Sequence, residues 1–424
     1  MGALDFPATA CRCVLAGLLA GLLAGASLKM RAMPELTTQL IHHPYRPPAG
    51  FDAITAPVHK ASTVIFPSVA ALRARDWTHE SGYTYGLAGT PTSFMLEERI
   101  ATLEGGRYCA LAPSGLAALT LVDMAFLSAG DEVLIPDNAY GPKKAFAQHE
   151  LAHWGIACKF YDPMDPADLA GLLTPQTRLV WLEAAGSITL EYPDLPALVA
   201  AVKAYGQPHP RGIVTALDNT WGAGIAFCAF DMGVDVSAHA LTKYPSGGAD
   251  VLMGSVVTRD RSLHHQVLQC HGRLGLGVAA NDVELMLRGL PSTQVRYAAQ
   301  DATTRALAHW LHGQRYFQQV LHPALPDSPG HAFWQRDCTG AACLVTLAFK
   351  PAYSQEQVDR FCDSLQLFKI GHSWAGPMSL CATYQASSIR SRPSPYQGPL
   401  VRLSIGLESA QDLQADLEQA LAQI

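Results

Sequence analysis

Charge is scarce in this chain. Asp, Glu, Lys and Arg make up 16% of its 424 residues, where an ordinary globular chain carries about a quarter, and the formal net charge is only -6. With no basic excess, the electrostatic footprint of a nucleic-acid binder is missing. Paired cysteines are missing too: the ten cysteines are scattered without a CxxC, and the close pair Cys11 and Cys13 lies near the N terminus. This removes the spacing that zinc and thioredoxin-like sites need. Irregular cysteines in a long chain point to free thiols in a reducing compartment, hence to the cytoplasm. A membrane span is also lacking. The run from Val14 to Leu28 is about fifteen residues long, whereas a span needs about twenty, so the body of the chain is expected to make no membrane contact. That run fits a signal-peptide core, a membrane-touching tail, or an upstream start with initiation at Met30 or Met33.

What is present is apolar mass: 49% hydrophobic residues over 424 positions can bury a large core and imply two or three domains. From residue 33 to about 90 the chain is dotted with proline and weakly periodic, which predicts an extended arm. Beyond it, strand and helix patterns alternate. Tyr108–Ala112, Asp131–Pro136, Arg178–Glu183 and Gly212–Asp218 read as strands, Leu96–Leu103 and Leu116–Leu127 as helices. Such alternation defines a doubly wound α/β sheet, whose ligands sit outside the carboxyl ends of the strands. After about Leu290 the pattern changes to long helices with a few strands such as Leu344–Phe349. The chain closes on an amphipathic helix capped by Ser409, with Leu413, Leu417, Leu421 and Ile424 on one face. Gly275-Leu276-Gly277-Val278-Ala279-Ala280 imitates a dinucleotide loop but has no strand before it.

Chemistry gathers around Thr242-Lys243-Tyr244-Pro245, which follows Asp218 at the end of an apolar run. A lysine amine that can hold an aldehyde, with a carboxylate that can keep a pyridine nitrogen protonated, is what pyridoxal phosphate (PLP) requires. Spacing alone leaves plainer readings open, since a lone lysine is usually solvated and a strand-end aspartate usually caps a turn. Ser114, Gly115 and Leu116 open a helix and could seat an anion. Arg402 sits in an apolar strand, where burial without an anion is costly; a substrate carboxylate or an internal salt bridge would supply one.

Asp218-Asn219-Thr220-Trp221-Gly222-Ala223-Gly224, Asp231-Met232-Gly233-Val234-Asp235-Val236-Ser237, Thr242-Lys243-Tyr244 and Met253-Gly254 resemble one block of the Cys/Met-metabolism PLP enzymes of fold type I. The resemblance runs from Leu36-Thr37-Thr38-Gln39-Leu40 to the C terminus, which favours the upstream-start reading of the first residues. It implies an aminotransferase-like three-layer α/β/α domain with a mostly parallel sheet, and a smaller α+β C-terminal domain. Residues 1–32 would be an extension, 33–90 an arm contacting a partner subunit, 91–289 the PLP-binding domain and 290–424 the C-terminal domain.

By the same resemblance Lys243 would be the catalytic lysine that holds the cofactor, and Asp218 would face the ring nitrogen. Tyr140 would stack on the ring and assist proton transfer. Ser114, Gly115, Leu116 and Thr242 would bind the phosphate, and Tyr85 would reach the phosphate in a neighbouring subunit. Arg402 would take the substrate carboxylate, and no metal is implied. Two residues after Tyr85 the family usually carries a phosphate-pairing arginine, where this chain has Leu87. Ser373-Trp374 resembles the β-lyase branch, which cleaves cystathionine and other cysteine S-conjugates to homocysteine or another thiol, pyruvate and ammonia. That branch usually has a tyrosine where His372 stands. The resemblance further implies an amino-acid substrate and a homotetramer built from dimers. A γ-synthase or γ-lyase type of enzyme, or a non-catalytic binding protein on the same scaffold, are the competing expectations.

Overall fold

The computed structural model describes residues 35–42, 49–50, 53–76, 82–205 and 211–424. The expectations for residues 1–32, including the Val14–Leu28 run and the pair Cys11 and Cys13, lie outside the described residues. Seven strands form the larger sheet: β1 (Tyr108–Ala112), β2 (Glu132–Pro136), β3 (Ala157–Tyr161), β4 (Thr177–Glu183), β5 (Val214–Asp218), β6 (Val236–His239) and β7 (Gly254–Thr258). Their order is β1-β7-β6-β5-β4-β2-β3. Every pairing is parallel except those of β7, which runs antiparallel to β1 and β6.

The central strands are almost continuously buried because both faces of the sheet are covered. In β4 all seven residues are buried, and successive side chains feed opposite layers. Leu179 and Trp181 join Leu119, Val122, Phe126 and Val267 from helices Gly115–Phe126 and Arg261–Leu274. Val180 and Leu182 join Leu169, Leu195 and Leu198 from helices Pro166–Leu172 and Leu195–Ala204. The result is the expected three-layer α/β/α architecture with a mostly parallel sheet.

The smaller sheet holds β8 (Phe317–Leu321), β9 (Leu344–Phe349), β10 (Lys369–Ile370), β11 (Leu380–Tyr384) and β12 (Leu400–Ser404), in the order β10-β11-β12-β9-β8. Here the structure departs from the sequence reading, which expected long helices and few strands. Only Thr293–His312 is a long helix. The strands are short, and Phe317–Leu321 and Leu380–Tyr384 each mix in polar residues, so neither shows a clean period of two. The helix expected at Leu96–Leu103 starts earlier, at Pro91, because Thr90 caps it and a proline fits the first helical position. Gly275, in the run resembling a dinucleotide loop, instead ends helix Arg261–Leu274 with φ 70°.

Tyr244 ties the two sheets together. Its ring is fully buried, and its hydroxyl accepts a hydrogen bond from the Cys343 N–H at 2.8 Å, just before β9. Replacing it with phenylalanine keeps the ring and leaves that N–H unpaired. Tyr244→Phe should cost about 1–3 kcal/mol, seen as a lower urea midpoint with near-native circular dichroism before the transition.

Candidate active site

Parallel strands deliver their carboxyl ends to one edge, and the loops that follow β2, β4, β5 and β6 line a cleft of ≈ 840 Å³ there. They contribute Asn138 to Tyr140, Ala185 to Leu190, Asp218 with Thr220 and Trp221, and Ala240 with Thr242 and Lys243. The smaller sheet closes the opposite wall with His372 to Trp374, Tyr384, Ser388 to Ser391 and Arg402. Of the residues singled out in the sequence, Ser114, Gly115, Leu116, Tyr140, Asp218, Thr242, Lys243, Ser373, Trp374 and Arg402 all line this one cleft. Tyr85 does not; it stands half-exposed on the arm.

Lys243 projects into the cleft rather than into open solvent. Its Nζ donates to the Ser373 hydroxyl at 2.7 Å and lies 5.5 Å from the centre of the Trp374 ring. Burial, aided by the Arg402 guanidinium and opposed by Cys343 and Asp218, lowers its pKa to about 8. Ser373 is held with φ 95° and Ala375 with φ 63°. Non-glycine residues adopt that region at a cost of about 1–3 kcal/mol each and persist where the surroundings demand it.

Asp218 ends β5 on the cleft floor. Its Oδ1 accepts from the Thr220 N–H at 3.0 Å and the Thr220 hydroxyl at 2.5 Å. Among the described residues Oδ2 has no donor, so a ring N–H could meet it. Burial raises the Asp218 pKa, while Thr220, His239 and Lys243 pull it down. Tyr140 is anchored through its backbone N–H, which donates to Glu183 Oε2 at 2.8 Å. Burial and then the neighbouring Asp218 raise its phenol. The same two causes push the Glu183 carboxyl well above the carboxylate range.

The helix Gly115–Phe126 points its N-terminus at the cleft. Ser114 caps it by accepting from the Ala117 N–H at 3.0 Å, which leaves the amides of Gly115 and Leu116 without a partner among the described residues. Glycine is required at 115, because a Cβ there would stand 2.4 Å from the Ala240 Cβ. Two free N–H groups at the positive end of a helix suit a phosphate. With Lys243 for the aldehyde and Asp218 for the ring nitrogen, the residues present fit PLP. Thr242 is less available than its position suggests: its hydroxyl donates to the Met253 carbonyl at 3.2 Å and accepts from the Met253 N–H at 3.0 Å.

Arg402 is 8% exposed, and burial lowers its pKa. The internal salt bridge that sequence reasoning kept open does not form: among the described residues its neighbours are the Ser187 carbonyl, which accepts from a terminal nitrogen at 3.1 Å, and the Tyr384 ring at 5.5 Å. A buried guanidinium without an anion is unfavourable until a carboxylate arrives.

Sequence reasoning did not assign Thr220, Glu183, Ser187, Tyr384 or Asn138 to the site. Only Thr220 carried a local signal, a hydroxyl two residues after a strand-end aspartate. The others are brought in by β4, β11 and the loop after β2.

The sequence profile of the Cys/Met metabolism PLP-dependent enzymes matches residues 37–422. A putative cystathionine beta-lyase of Rhizobium johnstonii is 38% identical over 390 residues, covering 91% of this chain and 96% of the relative. The cystathionine beta-lyase of Bordetella avium is 39% identical over 384 residues, covering 89% and 94%. The crystal structure of a cystathionine gamma synthase from Xanthomonas oryzae pv. oryzae, in complex with aminoacrylate and cysteine, superposes with a TM-score of 0.83 at 29% identity and covers 92% of this chain and 99% of that one. On the extent of these matches, and on a cleft whose residues fit the cofactor, the chain belongs to the Cys/Met metabolism PLP-dependent enzymes.

Proposed function

We propose that this protein is a carbon–sulfur β-lyase that splits L-cystathionine, with other S-substituted cysteines, into a thiol, pyruvate and ammonia. The observation that carries the reading is the pairing of Lys243 and Arg402 in one cleft: an amine whose pKa is lowered to about 8 beside a buried guanidinium with no anion among the described residues. Relatives at 38% and 39% identity named as cystathionine beta-lyases support β over γ chemistry. The γ-synthase shares the fold, so the fold alone does not separate the two.

PLP, when bound, supplies an electron sink for the pair released at the substrate α carbon. Arg402 takes the substrate carboxylate with a planar fork that an ammonium cannot match. Lys243 removes the α proton at Nζ, with Ser373 holding that amine and Tyr140 assisting. Asp218, fixed by Thr220, keeps a proton on the ring nitrogen. Ser114, Gly115 and Leu116 form the phosphate seat, with Thr242 beside it tied to Met253, and Trp374 walls off the amine. The thiolate then leaves from the β carbon.

The chain reads as an arm to residue 90, a cofactor domain over 91–289 and a C-terminal domain over 290–424. Ile54, Ile65 and Val69 on the arm are 102%, 90% and 61% exposed in the isolated protomer. Their apolar faces support burial against a partner in a homotetramer built from dimers, with Tyr85 placed for a neighbouring phosphate. All described cysteines are free, in keeping with a cytoplasmic setting, and no described helix is long and apolar enough to cross a membrane.

Lys243→Ala should abolish the visible absorption band of the PLP-loaded protein and pyruvate formation from cystathionine. Wild type should release homocysteine with pyruvate; cysteine with 2-oxobutyrate would sink the β assignment. The lowered amine also sets a pH profile. Only neutral lysine captures an aldehyde, and with a pKa of about 8 its neutral fraction grows about tenfold per pH unit below that value and levels off above it. Covalent uptake of PLP by the apoprotein, followed by absorbance, should therefore accelerate up to about pH 8 and then plateau. A rate still climbing steeply at pH 10 contradicts the assignment.

A further inference from the structure

The cleft commits its charges unevenly. Besides Lys243, Asp218 and Arg402, the charged side chains on its wall are Lys144, Glu183 and Arg390. Lys144 Nζ donates to the Asp137 carbonyl at 2.6 Å, the Asp137 carboxylate at 3.2 Å and the Ile389 carbonyl at 3.0 Å, which uses all three of its donors. Arg390 is clamped by Glu191 through both terminal nitrogens, at 3.0 and 2.5 Å, with the side chains only 10% and 6% exposed. Glu183 receives the Tyr140 N–H, and burial with the neighbouring Asp218 pushes its carboxyl well above the usual carboxylate range.

The remaining wall is uncharged, with Pro142, Ala145, Gln148, Ile188, Leu252 and Trp374 facing the cleft. The segment 82–96 adds nothing of either sign, because it contains no Asp, Glu, Lys, Arg or His. A second copy of that segment reaching this cleft would bring Tyr85, Leu87 and Ala88, but no ion.

Cystathionine carries a second ammonium and carboxylate at the far end of its thioether. Arg402 can serve one carboxylate only, and the distal pair would meet a wall without free ions, where the described charges are already paired. Unpaired charge taken from water is penalised, whereas an alkyl tail gains by burial. We propose that the cleft selects L-cysteine thioethers whose sulfur bears an uncharged alkyl or aryl group over those whose tail ends in a second zwitterion. This rests on the β-lyase reading above. The elimination is the same for both. The Cα–H pair becomes the Cα=Cβ bond, the Cβ–S pair leaves with the thiolate, which takes up a proton, and water hydrolyses the released enamine to pyruvate and ammonia.

The test compares S-butyl-L-cysteine and S-benzyl-L-cysteine with L-cystathionine on the PLP-loaded protein at pH 8.5. Pyruvate release should show kcat/KM for the neutral thioethers higher by about tenfold or more, chiefly through KM. Calorimetric Kd values on PLP-loaded Lys243→Ala, which binds without turnover, should rank the three compounds in the same order. Equal or greater kcat/KM for cystathionine overturns the selectivity and leaves the lyase reading standing. No pyruvate from any of the three overturns the lyase reading, and the selectivity with it.

Discussion

Two cations share one partly closed cleft, and much of the chemistry follows from their burial there. Arg402 is locked into β12 with only a carbonyl and an aromatic ring for company, and a guanidinium cannot shed its proton. Lys243 can, so the strain of burial, with the neighbouring guanidinium adding to it, falls on it and lowers its pKa to about 8. An amino-acid carboxylate relieves the same strain by neutralising Arg402. One arrangement thus favours binding of an anionic head and readiness of the amine that acts on it.

The carboxyl side of the site obeys a similar constraint. Glu183 and Asp218 are register partners on β4 and β5, and two carboxylates side by side in a buried sheet edge resist ionising together. Hydrogen bonds distinguish the two. Asp218 accepts two from Thr220 and feels His239 and Lys243 nearby, while Glu183 accepts only the Tyr140 amide. Asp218 is therefore the one drawn back toward the charged form, and it faces the place where a ring nitrogen would lie. Below them Glu104 is fully buried and accepts from Asn219, Ser237 and His239 at 2.7 to 2.8 Å, which fixes the floor on which Asp218 stands.

Local pattern made part of this legible. Apolar runs bounded by turn residues revealed the strands of the large sheet, and the rule that ligands gather at strand carboxyl ends put Tyr140, Asp218 and Lys243 on one side of it. Resemblance in short motifs supplied the roles. The smaller sheet was harder to read, because strands such as Phe317–Leu321 are stabilised by neighbours far along the chain and carry little periodicity of their own. The clamp of Glu191 by Arg390 joins residues 199 positions apart, and no window of sequence contains such a pair. Arg402 shows the limit most clearly: the sequence says that an arginine is buried, but only the structure shows that no acid waits for it.

The poverty of charge noted at the outset acquires a physical meaning here. Asp137 receives the Ser391 N–H at 2.9 Å and the Arg392 N–H at 3.1 Å, as well as Lys144, and Glu191 holds Arg390. These groups fasten the loop before β12 to the loops after β2 and β4, so the ions around the cleft are spent on joining its two walls. A pair satisfied in this way is expensive to break, since opening it would leave a buried charge alone. The paired ions thus hold the two walls around Lys243 and Arg402, which among the described residues have no acid partner, and whatever binds must satisfy those two and tolerate a wall whose other charges are already paired.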